Sequence, residues 1–500
     1  MNDNSVNQDI GRSVARNVSV MFIAQAVTWV SSFVLLYYLP RYLGSEDFGR
    51  LYLALSIKMM LSLLIDFGGN YLIPKEVARS VKTGMHVLSN YLILRVILWV
   101  FSIGLILLIS DMLGYSDHVH LLILILAIGK LWEGGTSALS AYYQGIERME
   151  YPSIGNIIEK MLVAIFAVIA LLMGGDSTAV AIIFTGGAFV NLVILAWFSR
   201  KTVRVTYKTD VNMVSLLRSG MPFFLFSLFS VIYYRIDAIM ISAMTSDMVT
   251  GWYGGAFRFF DIVMVLPLLY KTAIFPVFSK LWNNKEGVLE STVSESLRLM
   301  ILLGFPTALL ICIYASPVIH FFMGLEEYGP SVLILQIFAI SIPIIYVDII
   351  LGSALMGAAN RQKAWAVVGF VAIFVNIGVN FLLIPYTQAS FGNGGIGAAV
   401  ATLFTELFVM FCALFLVPST YLKPFKAEYL IKPATASLVM VGAIYLLFQI
   451  NLYWMISALF AVFIYTGTLF LLKTFNKDEQ HLIRSFITAE PFKFILIWRD

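Results

Sequence analysis

Residues 222–276 read PFFLFSLFSVIYYRIDAIMISAMTSDMVTGWYGGAFRFFDIVMVLPLLYKTAIFP. Two apolar helix candidates lie in this stretch, joined by a short turn ahead of Gly251. The first carries Arg235 and Asp237. The second carries Arg258 and Asp261 and, beyond Pro267, Lys271. A charge near the middle of a bilayer helix costs at least a few kcal/mol, so such residues face a wet cavity or a partner. If these segments span a membrane, they line a polar path through it.

The rest of the chain says that they do span one. Its 500 residues are 60% hydrophobic and 12% charged, with a mean hydropathy of +0.88. The charged share is about half that of a soluble domain. Too few polar groups remain to cover a water-facing surface, so the class is polytopic membrane protein. Cys312 and Cys412 sit in apolar runs and form neither a disulfide framework nor a metal cluster. The start of the chain is polar, without the short apolar core and small-residue cleavage site of a signal peptide, so the first apolar segment is read as retained.

A hydrocarbon core about 30 Å thick needs roughly 20 apolar residues per helix. Fourteen segments meet that need, from 18–40 and 49–72 through 220–244 and 252–277 to 433–450 and 453–472. Cytoplasmic loops collect lysine and arginine, which tests the count. Taking the connections alternately from the N-terminal side, one set holds every basic residue outside the spans except Arg41 and Arg50. An error of one span would scramble that pattern. Fourteen spans with both ends in the cytoplasm of an inner or plasma membrane is the resulting topology. The outer loops are short, leaving no room for a large external catalytic domain.

The chain also repeats. Phe48-Gly49-Arg-Leu-Tyr-Leu-Ala54 precedes the second span, and Thr250-Gly251-Trp-Tyr-Gly-Gly-Ala256 precedes the eighth, with glycine and alanine in register. Both enter from the same side, as in a parallel repeat of six helices. The expected divisions are a first bundle at 1–210, a second at 211–430, and two further spans with a tail at 431–500. A basic connector, Arg200 to Arg218, joins the bundles. The tail from Leu482 to Trp498 reads as an interfacial segment.

Seven cations and seven acids fall inside the spans. Lys130/Glu133 and Arg258/Asp261 are i,i+3 pairs able to neutralise each other. Arg95, Glu159 and Lys160 lie near expected helix starts, where long side chains reach back to the interface. Arg235 and Asp237, two residues apart, point about 200° from each other and cannot pair. Lys58 and Asp66 fall on nearly one helix face and both suit a cavity. Lys271, Asp348 and Glu406 have no same-helix partner within a turn. Gly392-Asn-Gly-Gly-Ile-Gly397 looks like a dinucleotide fingerprint but opens an apolar helix, where small residues serve close packing. No Walker motif, metal-ligand cluster, nucleophile–histidine–acid set or nucleic-acid-binding pattern stands out.

Several of these runs fit one family pattern: Tyr42-Leu43-Gly44-Ser-Glu-Asp-Phe48-Gly49, Tyr234-Arg235-Ile-Asp237, Gly251-Trp-Tyr253, Ala256-Phe-Arg258 and Gly394-Gly-Ile-Gly397-Ala-Ala. In them the chain resembles the Wzx-type polysaccharide flippases of the multidrug/oligosaccharidyl-lipid/polysaccharide exporter superfamily. The resemblance covers nearly the whole chain. It implies two six-helix bundles around a cavity, two extra helices beside them for a lipid tail, and export of a polyprenyl-pyrophosphate-linked oligosaccharide without covalent chemistry. It also implies that basic cavity residues engage the pyrophosphate, here Arg235, Arg258 and Lys58, with Lys271 added as an embedded cation. Asp66, Asp237 and Asp348 are candidates for coupling to H⁺ or Na⁺; no other cofactor is expected. Membrane lipids and other polysaccharide-assembly proteins are the expected partners. A cation-coupled multidrug antiporter, a peptidoglycan-precursor flippase, a membrane glycan polymerase or ligase, and a non-transporting scaffold remain as alternatives.

Overall fold

The computed structural model describes residues 3–203, 213–282 and 287–475. Part of the basic connector and the expected interfacial tail, Leu482 to Trp498, lie outside the described residues. The described chain is helical, without a strand. The first helices are α1 (Asp3–Asp66), α2 (Gly69–Arg79), α3 (Val81–Met112), α4 (Asp117–Gly145), α5 (Glu150–Leu172) and α6 (Ser177–Ser199). Next come α7 (Met213–Met244), α8 (Asp247–Trp282), α9 (Val288–Phe322), the short α10 (Leu325–Tyr328) and α11 (Ser331–Asp348). A π-helix, Ile349–Leu355, leads into the short α12 (Met356–Ala358). The last are α13 (Gln362–Phe391), α14 (Gly394–Leu416), α15 (Glu428–Gln449) and α16 (Trp454–Leu471).

α1 is not one rod. A straight helix of its 64 residues would be roughly three times as long as a bilayer core is thick. Gly44 breaks it with φ 71° and ψ 175°, a backbone region that glycine enters freely. Phe67 and Gly68, both at positive φ, then separate α1 from α2. Among the described residues, twelve helical stretches are long and apolar enough to cross a membrane. One of them, Ile23–Arg79, contains the segments on both sides of Gly44. With the 32-residue α7, the fourteen expected segments are accommodated.

The outer faces fit lipid rather than water. Phe101, Leu382, Phe415 and Leu471 are between 65% and 84% exposed, amid many other uncovered leucines and phenylalanines. An aqueous protein rarely exposes continuous apolar surface on this scale. In lipid no hydrophobic force draws helices together, so close packing through small residues must do it. A Cβ at Gly155 of α5 would come 2.2 Å from Asn191 Oδ1 of α6, so any larger residue would displace that side chain.

The chain gathers into two compact units. The first comprises Met1–Phe259, Val318–Ile334 and Ala366–Thr405. Here α4 packs on α6 and α5 on both α1 and α6. Leu53, Ala54, Ile57, Leu122 and Leu126 form one core, and Ile73, Leu88, Tyr91, Tyr143 and Leu195 another. The second comprises Phe260–Pro317, Leu335–Trp365 and Glu406–Asp500. Buried tyrosine hydroxyls tie its helices together: Tyr346 donates to the Val263 carbonyl at 2.7 Å and Tyr465 to that of Leu302 at 2.8 Å. Each satisfies an oxygen that lipid cannot.

Two helix starts differ from expectation. α3 begins at Val81, with Ser80 as N-cap accepting from the Thr83 amide, and α5 begins at Glu150. Arg95 and the Glu159–Lys160 pair therefore sit well inside their helices instead of at interfacial ends. Polar residues at the starts mask the true boundaries.

Candidate functional site

Charge inside the first unit converges on a polar chamber. One cavity of about 540 Å³ and a second of about 460 Å³ share Asn70, Lys130, Ser137 and Gln144 in their walls. Glu133, Asn156, Glu159, Lys160 and Asn191 line the larger one; Asp66, Arg95 and Ser227 line the smaller. α4 supplies Lys130, Glu133, Ser137 and Gln144 at spacings that repeat along one face.

The charges are organised in groups. Arg95, expected to reach the interface, is 2% exposed. Its guanidinium bonds Asp66 and the Gly134 carbonyl, and reaches Ser137 Oγ at 2.8 Å and Asn70 Oδ1 at 3.1 Å. Four partners for one buried cation mark it as fixed. Glu133 lies 2.5 Å from Lys58 Nζ and 2.8 Å from Lys130 Nζ. Glu159 meets Lys160 at 2.8 Å and accepts from Asn191 Nδ2 at 2.6 Å. The chamber is thus polar but nearly charge-balanced.

Arg235 and Asp237 part company. Arg235 reaches the Tyr52 hydroxyl and Met59 sulfur of α1, each at 3.3 Å, and stacks over Phe257 at 5.2 Å. Lys58 stands on the same stretch of α1. Arg258 stacks over Phe48, also on α1, at 5.2 Å. Three of the four candidate anion-binding residues therefore border residues 48–59. Lys271 belongs to the second unit, half-buried, with no ion pair among the described residues.

Asp237 is buried among neutral groups. Its carboxylate accepts from Tyr253 Oη at 2.8 Å, Thr402 Oγ1 at 2.9 Å and Asn380 Nδ2 at 2.7 Å. Asn380 Nδ2 also donates to Asn376 Oδ1 at 2.9 Å, while Asn380 Oδ1 is buried without a donor among the described residues. Hard oxygens crowd here with no countercharge among these neighbours. That donor set suits a proton or a small hard cation. In the second unit Asp348 is buried ahead of the π-helix, within the field of Glu406, and its Oδ1 has no hydrogen-bond partner among the described residues. Also in that unit, an apolar pocket of about 370 Å³ is lined by Ile301, Phe305, Ile344, Met410, Leu414 and Phe425, among others.

Sequence spacing did not anticipate Arg95 as a partner of Asp66, Glu133 as a bridge between lysines, or the Asn376–Asn380 pair. The i,i+4 asparagines in an apolar helix were a usable signal for the last of these. The first two join residues on different helices, and spacing along one helix cannot show them.

A many-spanning helical bundle with buried charge facing internal cavities fits a membrane transporter. The model for the polysaccharide biosynthesis protein family matches residues 14–282, more than half the chain, and the chain belongs to that family. A second family model, MatE, matches residues 222–382. The chain is 22% identical to a putative O-antigen transporter of Shigella dysenteriae, over 79% of this chain and 98% of the relative. It is 25% identical to a probable low-salt glycan biosynthesis flippase, Agl15, of Haloferax volcanii, over 78% and 80%. Among solved structures, the lipid II flippase MurJ in an inward closed conformation superposes with a TM-score of 0.72. That match covers 92% of this chain and 98% of MurJ at 15% identity. An inward-facing multidrug MATE transporter gives 0.64, over 81% and 99%, at 15% identity. These likenesses establish a fold of the multidrug/oligosaccharidyl-lipid/polysaccharide exporter type.

Proposed function

We propose that this protein is a flippase that moves a polyprenyl-pyrophosphate-linked oligosaccharide from the inner to the outer leaflet for surface polysaccharide assembly. The supporting observation is the placement of Lys58, Arg235 and Arg258 around one stretch of α1, beside a polar chamber inside an apolar bundle. Arg235 suits a pyrophosphate because its planar fork donates two hydrogen bonds to neighbouring oxygens. The chamber's amides and hydroxyls suit sugar hydroxyls. The apolar pocket of the second unit suits part of the lipid tail.

Transport proceeds by alternating access, residues 1–210 and 211–430 acting as the two rocking halves with 431–500 beside them. A cation or proton gradient drives it, with Asp237 the foremost coupling carboxylate and Asp66 and Asp348 behind it. The membrane is the inner or plasma membrane, with both termini in the cytoplasm. Polysaccharide-assembly enzymes supply and consume the substrate. The chain itself makes or breaks no covalent bond.

The test is reconstitution in sealed vesicles with a fluorescent lipid-linked oligosaccharide, reading probe accessibility in the outer leaflet. Protein-dependent exposure of the probe is expected, and its absence overturns the reading. The MatE match favours a cation-coupled multidrug antiporter as the second reading. Drug efflux in the same vesicles without lipid movement would establish that alternative. Movement of a peptidoglycan precursor in preference to the oligosaccharide would reassign the substrate.

A further inference from the structure

Glu133 is placed between two lysines from different helices, Lys58 of α1 and Lys130 of α4, one at each carboxylate oxygen. The side chains remain partly accessible, at 15% for Lys58, 17% for Lys130 and 29% for Glu133. Lys130 and Glu133 line the larger cavity. An ammonium is a compact charge on a flexible stem, able to follow whichever anion is offered to it. Two ammoniums held one carboxylate apart match a diphosphate, which presents anionic oxygens on two adjacent phosphorus atoms.

We propose that Glu133 is a resident counter-ion that the substrate's diphosphate displaces, Lys58 and Lys130 passing from carboxylate to diphosphate on binding and back on release. The inference rests on the flippase reading and adds Lys130 and Glu133 to the site. Without Glu133 the empty chamber holds two half-desolvated lysines without the carboxylate that pairs with both, a costly state. The same cations would then grip a diphosphate too firmly for release. With Glu133 the empty site is neutralised locally, and the carboxylate competes for the lysines as the substrate leaves. A monophosphate has one phosphorus to offer and exchanges less completely. The other charged groups lining the two cavities are held differently: Arg95 is fixed by four partners, and Glu159 is held by Asn191 as well as Lys160.

The test is calorimetry on the full chain in lipid nanodiscs, with farnesyl diphosphate, farnesyl monophosphate, inorganic pyrophosphate and farnesol as probes. Wild-type protein should prefer the diphosphate over the monophosphate. Glu133→Gln should bind farnesyl diphosphate about tenfold tighter, within the usual range for coupled sites, and should move lipid-linked oligosaccharide more slowly. Lys58→Met with Lys130→Met should erase the diphosphate preference. Unchanged or weaker diphosphate binding by folded Glu133→Gln overturns the proposal. So does equal tightening for farnesol, or tightening for inorganic pyrophosphate alone, which would make a free ion the ligand. If Glu133→Gln does not fold, the double lysine variant decides, since a surviving diphosphate preference is fatal. Tightened binding without lipid transport by wild type would sink the flippase reading and leave the exchange standing. Normal transport with unchanged binding would sink the exchange alone.

Discussion

Gly49 and Gly251 each lie against the first turn of the other's helix. A Cβ at Gly49 would sit 1.8 Å from the Asp247 carbonyl oxygen, and one at Gly251 would sit 1.9 Å from that of Ser45. Each oxygen belongs to the residue four positions before the opposing glycine, so the crossing is symmetric and joins the two copies of the repeat. Polar contacts surround it. Arg50 pairs with Asp247 at 2.9 Å, and Glu327 accepts from the Ser45 amide at 2.7 Å. Arg41 donates to the Phe321 carbonyl at 2.7 Å, a cation at the end of α9 where the helix dipole favours one.

Alanine at either glycine must therefore push backbone away from backbone. Gly49→Ala and Gly251→Ala are each expected to cost about 1–3 kcal/mol, as overpacking does. The double variant should cost clearly less than the sum, because one alanine already opens the crossing that the second would clash with. Thermal unfolding of the purified variants in detergent measures all three. Strict additivity would show that the helices do not separate as a unit.

The fold was legible because the bilayer imposes simple rules. Apolar length marked the helices, and Gly44 breaks α1 within the connection expected between the first two spans. Register between Gly49 and Gly251 disclosed the repeat, though nothing in it revealed that the two glycines touch. The site was legible only along single helices. Lys130–Glu133 is an i,i+3 pair and could be foreseen, whereas Lys58 reaches Glu133 from another helix. Arg95 was misplaced because the polar first turns of α3 hide how early that helix starts. Its role depends on Asp66 lying one helix away, a fact of packing and not of periodicity.

Asp66 and Arg95 make the sharpest stability prediction. Arg95 is buried, and removing its carboxylate partner leaves an uncompensated cation in the bundle. Asp66→Asn is expected to cost about 3–5 kcal/mol, the usual effect of breaking a buried pair. Asp66→Asn combined with Arg95→Met should recover much of that loss, since neither charge then remains. Fluorescence-detected chromatography after heating would read the order. A tolerated single variant and a failing double would contradict it.

Asp237→Asn should preserve the fold and remove coupling. An amide in place of the carboxylate turns an acceptor into a donor, but Asn380 can turn its unpartnered Oδ1 to meet it. The bond between positions 237 and 380 thus survives, at the expense of the one from Asn380 to Asn376, while the negative charge that would hold a proton or small cation does not. Gradient-driven lipid movement should fall at least about tenfold, the effect of losing roughly 1.4 kcal/mol of coupling. Movement without a gradient should stay near the wild-type level. Equal loss in both conditions would assign Asp237 to the fold or to substrate instead.

Arg235 tests whether fork geometry or charge alone serves the substrate. Its guanidinium stacks on Phe257 and reaches Tyr52 and Met59, contacts that aim a flat group along α1. Lysine keeps the charge but loses the plane, the stacking and the paired donors. Arg235→Lys should therefore lower oligosaccharide export about tenfold or more, close to the loss from Arg235→Ala, because a bidentate contact contributes about 1.5–3 kcal/mol. Arg258→Ala should cost less, since the guanidinium stacked over Phe48 has Asp261 one turn away as a same-helix countercharge. Surface glycan in cells that depend on the protein, normalised to membrane protein level, measures each. Full export by Arg235→Lys would show that a positive charge at this position is enough, and would remove the case for a two-pronged grip on pyrophosphate.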